Sequence, residues 1–127
     1  MIKVLTLVSL PILASQNVPP EHETLKTSIA EFQQKLEGFR KAGSLDIENR
    51  ESLQKEISEL YESLMRYMSY LEKDRLKECS FLSLIDGAIM SGYTGIRMPA
   101  PRDITFDMLL DHANRLSTNL QAIYDCF

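Results

Sequence analysis

The sequence predicts an all-α fold, a four-helix arrangement built on a long antiparallel helical hairpin that follows an N-terminal signal-like segment. Three observations support this prediction. Apolar residues recur every three or four positions along most of the chain, turn-forming residues interrupt that spacing at few places, and nothing after residue 20 alternates as a strand would. A length of 127 residues with 44% hydrophobic residues fits one folded domain.

The predicted hairpin consists of two amphipathic helices joined by a short turn at Gly43. Because each helix carries one apolar stripe, we expect the stripes to pack against each other rather than against a partner helix. The turn is predicted because Gly43 follows the charged end of the first run. The first stripe comprises Leu25, Ile29, Phe32, Leu36 and Phe39, and the second Leu53, Ile57, Leu60, Leu64, Tyr67 and Leu71.

A third helix is predicted just after Cys79, and it differs from the first two. Its apolar residues surround most of the helix, which is typical of a helix buried in the middle of a fold. We expect Gly92 and Gly95 to end it and residues 92–102 to form a loop, because Pro99 and Pro101 cannot continue a helix. The apolar residues are Phe81, Leu82, Leu84, Ile85, Ala88 and Ile89.

The fourth helix is predicted to begin at Thr105, a suitable N-cap, with Asp107 in its first turn. Its apolar residues share one face: Phe106, Leu109, Leu110, Ala113, Leu116, Leu120 and Ile123.

Residues 1–14 have the pattern of a secretory signal peptide. A positive charge at Lys3 precedes an apolar run from Val4 to Leu10, and Pro11 and Ala14 lie where a cleavage region would be. The apolar run is too short to span a membrane. Residues 15–127 would then form a single helical domain in the periplasm or outside the cell, whereas the alternative interpretation is a buried N-terminal strand from Ile2 to Leu10.

The two cysteines, Cys79 and Cys126, are predicted to form a disulfide if the protein is exported, since an even cysteine count in an oxidising compartment favours pairing. Two reduced buried thiols remain the alternative. No Cys or His spacing matches a zinc site, so we predict no metal.

Catalysis and nucleic-acid binding are both disfavoured. The net charge is −4 with no basic block, which excludes the usual nucleic-acid footprint. Only two histidines occur, His22 and His112, and we expect both to be exposed. No nucleophile motif is present, and the short Gly92–Gly95 repeat follows no strand, so the sequence predicts neither an enzyme nor a cofactor.

Two surface features are candidates for partner binding. Asp103, Asp107 and Asp111 are four residues apart, and on one helix they would form a solvated row or a docking patch for a basic partner, with Arg115 placed to pair with Asp111. Metal binding or acid–base chemistry is the remaining alternative for this row.

In the predicted 92–102 loop, Tyr93, Arg97 and Met98 are residue types that are common at interface centres. An exposed connection without a partner is the alternative for this loop.

The segments "ECSFLSLIDGAIMSG" and "MPAPRDITFDMLLDHANRLSTNLQAIYDC" resemble the Rap/Tai immunity proteins of bacterial type VI secretion. The likeness covers about residues 78–126. Met98 stands where that family commonly has another cysteine, and the hairpin is longer than the family leads us to expect. The matching positions are Cys79, Gly87, Pro99, Ile104, Thr105, Leu109 and Cys126.

The resemblance implies a periplasmic protein that binds and blocks a cell-wall-degrading toxin, and it brings no catalytic residues. From the residues alone we expect a non-enzymatic exported binding protein with a protein partner, and a homodimer stays open. The alternatives are a structural or adaptor component of an envelope secretion or pilus system, and a small helical enzyme or metal protein.

Overall fold

The computed structural model describes residues 18–74 and 79–127 and confirms the all-α prediction. Within these ranges four α-helices occur, and there is no strand. They are α1 (Pro20–Ala42), α2 (Ile47–Asp74), α3 (Leu82–Arg97) and α4 (Phe106–Tyr124), with a short 3-10 helix at Pro101–Asp103 between α3 and α4. No helix in the described ranges is long and apolar enough to cross a membrane. The predicted signal peptide at residues 1–14 lies outside them.

The turn of the hairpin forms where the sequence predicts it. Gly43 has a φ of 78°, a left-handed conformation that glycine adopts without a steric penalty, and its N–H donates to the Phe39 carbonyl at 3.1 Å. The next helix is capped by Asp46, whose carboxylate accepts from the Asn49 N–H at 2.9 Å. Local hydrogen bonding therefore ends α1 and starts α2 within a few residues.

The four helices pair differently from the simple hairpin. Most residues of both predicted stripes are buried, and Phe32, Ile57 and Leu64 are almost fully enclosed. However, α1 packs more extensively against α4 than against α2, and α2 packs most extensively against α3. The apolar stripe of α1 therefore packs against both α2 and α4, because the apolar face of α4 lies beside α2.

Helix α3 departs from the prediction in two respects. It is not buried all round: Ile85 and Ile89 face the core, whereas 75% of Leu84 is exposed. It also continues through Gly92 and Gly95 to Arg97. Two glycines in a helix cost about 2 kcal/mol in helix propensity, and burying Ile96 completely on the next turn offsets that cost.

The connection after α3 is held against α2. The Gln54 side-chain amide donates to the carbonyl oxygens of Ile96 at 2.8 Å and Pro99 at 2.9 Å, which supplies partners to the end of α3. Ile104 is fully buried beyond this point. Thr105 is the N-cap of α4 as predicted, and its hydroxyl accepts from the Met108 N–H at 3.1 Å.

A disulfide joins the start of α3 to the end of α4. The Cys79 and Cys126 sulfur atoms are 2.05 Å apart, as the even cysteine count predicted for an oxidising compartment. The two residues are 47 positions apart. In the chain-entropy account, a loop of that length contributes about 4 kcal/mol to the free energy of unfolding.

Candidate protein-interaction site on helix α3

Tyr93 and Arg97 lie one turn apart on α3, not in a loop as predicted. The Tyr93 hydroxyl donates to Glu62 Oε2 of α2 at 2.7 Å, and Arg97 Nη1 donates to the Tyr93 hydroxyl at 3.0 Å. The guanidinium carbon is 5.0 Å from the centroid of the Tyr93 ring, within cation–π range. The hydrogen bond to Glu62 raises the pKa of Tyr93, so the hydroxyl keeps its proton. We call Tyr93, Arg97 and Met98 the α3 corner.

Two contacts orient the guanidinium of the α3 corner before any partner arrives. An arginine has five N–H donors, and among the described residues only Nη1 of Arg97 makes a hydrogen bond, so the other donors can reach a carboxylate. Next to it Met98 is 78% exposed, the largest exposed fraction among the large apolar side chains described. The corner therefore combines a held cation, an aromatic ring and an adaptable apolar group.

The solvent-facing side of α3 carries no charged residue between Ser83 and Gly95. We call these residues the outer face. Long apolar side chains such as Leu84 and Met90 are exposed there between small residues. On α1 and α2, by contrast, exposed positions are mostly glutamate, lysine and arginine. Large apolar side chains exposed on an uncharged surface are candidates for a protein contact. The outer face comprises Ser83, Leu84, Gly87, Ala88, Met90, Ser91, Thr94 and Gly95.

The predicted aspartate row is split between two elements. Asp103 belongs to the 3-10 helix, so only Asp107 and Asp111 lie on α4, and all three are exposed. Arg115 Nε donates to Asp111 Oδ2 at 2.9 Å, which confirms the predicted surface pair. A shallow depression of about 470 Å³ between α3 and α4 is lined by this pair and by Ala88 and Ser91. The charges of α4 thus border the outer face of α3.

Both histidines are buried, contrary to the expectation that they lie on the surface. His112 is 7% exposed, and its Nδ1 is 2.7 Å from the Tyr61 hydroxyl oxygen. Burial lowers the pKa of His112 and raises the pKa of Tyr61 to about 12, so both are neutral near pH 7. A Cβ atom added at Gly92 would lie 2.5 Å from the Tyr61 hydroxyl oxygen, so the backbone of α3 crosses the Tyr61–His112 pair at Gly92.

His22 makes the corresponding contact at the other end of the bundle. Its Nδ1 is 3.2 Å from the Tyr67 hydroxyl oxygen, and the Tyr124 ring lies 5.4 Å away between centroids. The sequence contained a signal for these positions. His22 precedes Leu25 by three residues and His112 precedes Leu116 by four, so each histidine extends the apolar stripe of its helix.

Neither the groove beside His22 nor the ligand-type side chains of the described residues converge on one site. An open groove of about 690 Å³ lies beside His22 between α1 and α4. Its lining residues include Lys26, Glu23, side-chain amides and apolar groups, and they do not favour one kind of ligand. Across residues 18–74 and 79–127, no group of three or more His, Cys, Asp or Glu residues could hold a metal ion.

No protein-family model matches the chain, and comparison with curated proteins and with solved structures gives no match. The exposed surface of α3 is therefore the candidate site.

Proposed function

We propose that this protein is an exported helical binding protein that recognises another protein through α3 and performs no catalysis. The observation that carries the proposal is the uncharged outer face, which exposes Leu84 and Met90 and ends at the α3 corner. The corner adds polar specificity to this apolar surface. Arg97 is held by Tyr93, which is itself bonded to Glu62, so less side-chain entropy is lost when a partner docks.

Export to the periplasm or the extracellular space is supported by two features. The Cys79–Cys126 pair at disulfide distance is compatible with an oxidising compartment. The charged, apolar and small-residue pattern of residues 1–14 is that of a secretory signal.

In its most specific form, the proposed function is that of an immunity protein that blocks a cell-wall-degrading toxin by occlusion. The resemblance of residues 78–126 to Rap/Tai immunity proteins supports this form. The α3 corner would contact the toxin, with Met98 in an apolar pocket and the free Arg97 donors on a carboxylate. Asp107 and Asp111 would contribute a negative rim beside the outer face.

Recovery of the tagged protein from the periplasm of its source, followed by a cell-wall hydrolase assay, tests this function. We expect one soluble hydrolase to be recovered and inhibited, and Arg97→Glu or Met98→Asp to weaken inhibition at least about tenfold, as for a central interface residue. Lys55→Glu, an exposed change on α2, is the matched control and should leave inhibition unchanged. Recovery with a membrane-bound envelope assembly and no inhibited hydrolase would instead support a structural or adaptor component.

Intact mass under non-reducing conditions tests export separately. We expect a chain shortened at its N-terminus with no free thiol. A full-length chain with two reduced cysteines would contradict the periplasmic location.

A further inference from the structure

Burial of apolar side chains fixes the two ends of the connection between α3 and α4. Ile96 and Ile104 are fully buried there, whereas residues 97–103 between them are exposed or half-buried. Arg97 and Met98 of the α3 corner lie in this stretch. Hydrogen bonds therefore decide how the backbone that carries these two side chains is held.

Polar side chains of α2 supply such hydrogen bonds. Arg50, Gln54 and Glu62 belong to one ridge of α2, a row formed by every fourth residue of the helix. Arg50 Nη1 donates to the Arg102 carbonyl oxygen at 2.9 Å, and Glu62 accepts from the Tyr93 hydroxyl at 2.7 Å. Gln54 lies between these two contacts in the row, where it meets the backbone of the connection.

The Gln54 side chain holds the backbone on both sides of Arg97 and Met98. Its Nε2 atom donates to the Ile96 carbonyl oxygen at 2.8 Å and to the Pro99 carbonyl oxygen at 2.9 Å. A side-chain amide nitrogen has two hydrogens, so each hydrogen has its own acceptor. Arg97 and Met98 are the two residues between these carbonyl groups. One atom of α2 thus fixes this short stretch from both ends.

We infer that Gln54 is a positioning residue for the α3 corner, whose side-chain amide fixes the backbone around Arg97 and Met98 in one arrangement before a partner binds. The inference rests on the proposed function, because it names a residue that shapes the proposed contact. A backbone that is fixed before association leaves less conformational entropy to be lost on binding. Gln54 is half-buried behind the connection, so it acts through the corner and needs no contact of its own with the partner.

Amide hydrogen exchange of the purified protein, measured by NMR, tests the positioning without any partner. Gln54→Met keeps the length of the side chain and removes its donor. We expect the amides of Met98, Asp103 and Ile104, which are hydrogen-bonded within the connection or to the last turn of α3, to exchange at least about fivefold faster, because two hydrogen bonds to the backbone are lost. Gln54→Lys supplies N–H donors again and should return the rates to within about twofold of the native values.

Gln33→Met is the matched control. The Gln33 side-chain amide of α1 donates to Asn114 of α4 at 3.4 Å, so this variant also loses a hydrogen bond between helices, away from the corner. It should leave exchange in residues 97–104 within about twofold of the native rates. Circular dichroism checks that each variant keeps its helices. Native rates in Gln54→Met, or equally fast exchange in Gln54→Met and Gln54→Lys, overturn the inference.

Inhibition of the hydrolase recovered from the source periplasm tests the effect on binding. Gln54→Met should raise the inhibition constant at least about threefold, because Arg97 and Met98 must then be ordered when the hydrolase binds. Gln33→Met should keep the native value. The loss should be smaller than that of Arg97→Glu, since both contact side chains are still present in Gln54→Met.

The two measurements distinguish this inference from the toxin-blocking function. Faster exchange in Gln54→Met with an unchanged inhibition constant overturns the positioning role alone. A native protein that inhibits no hydrolase overturns the toxin-blocking function, whereas the exchange rates still decide whether Gln54 fixes the α3 corner.

Discussion

Tyr61 and His112 show how one pair of side chains joins three helices of this bundle. Tyr61 is fully buried on α2, His112 comes from α4, and Gly92 of α3 crosses directly over the hydroxyl. A buried polar group is costly unless it has a hydrogen-bond partner, so each group makes the burial of the other acceptable. The pair specifies how three helices meet, as well as adding to their stability.

Replacement of Tyr61 by phenylalanine should lower the free energy of unfolding by about 1–3 kcal/mol, because His112 Nδ1 would then be buried without its partner. Urea unfolding measures the change. Tyr70→Phe on the exposed side of α2 removes the same hydroxyl outside the core and should have almost no effect. Equal losses in the two variants would contradict the role assigned to the hydrogen bond.

At the scale of elements, α3 is the helix in which local preference and tertiary packing disagree most. Gly92 and Gly95 predicted an early end, and the three glycines of α3 have different environments. A Cβ added at Gly92 would overlap the Tyr61 ring, whereas one added at Gly87 would have no atom within 4 Å. Gly92 permits a close crossing between α3 and α2, whereas Gly87 only lowers the helix propensity of an exposed turn.

Alanine at these two glycines should therefore have opposite effects. Gly92→Ala is expected to lower the free energy of unfolding by about 1–3 kcal/mol, because the buried tyrosine cannot move aside without losing its hydrogen bond. Gly87→Ala should raise it by about 0.5–1 kcal/mol through helix propensity. Thermal unfolding of the dilute proteins compares them, and a stabilising Gly92→Ala would show that the two helices do not cross closely.

For the molecule as a whole, the two tyrosine–histidine pairs link stability to pH. His22 of α1 contacts Tyr67 of α2 and the Tyr124 ring of α4, and His112 of α4 contacts Tyr61 of α2 below Gly92 and Gly95 of α3. Burial is the main cause that lowers the pKa of both histidines. Glu23 opposes it and Lys26 reinforces it at His22, and Arg115 reinforces it while Asp111 opposes it at His112.

The lowered pKa values fix the sign of the pH dependence. Below about pH 6.5 the unfolded chain binds protons at both histidines while the folded chain does not. The stabilising effect of keeping these histidines neutral is complete above pH 6.5, and it is lost progressively as the pH falls toward the folded-state pKa values.

We expect the free energy of unfolding to fall between pH 7 and pH 5, with each histidine contributing up to about 1.4 kcal/mol per pH unit. Urea unfolding at a series of pH values measures the slope. The His22→Gln, His112→Gln double variant has a lower stability throughout but should have a shallower slope. A slope equal to that of the native protein would contradict this assignment.

Local sequence patterns were enough to predict the four helices and most of their ends, but not the end of α3. Gly43 and Thr105 act through hydrogen bonds to residues three or four positions away, and the apolar stripes depend on the helical period, so both can be recognised locally. The pairing of Cys79 with Cys126 followed from their number and the expected compartment, since no other pairing within the chain exists.

Which surfaces became core and which became the candidate site depended on how the helices pack in three dimensions. The bonds of His22 with Tyr67, of His112 with Tyr61 and of Tyr93 with Glu62 join residues 45, 51 and 31 positions apart. Such contacts depend on how whole helices cross, because a helix with apolar residues on several sides can bury any one of them. The crossing at Gly92 directs Ile85 and Ile89 inward and leaves Leu84 in solvent, and no local pattern distinguishes these residues.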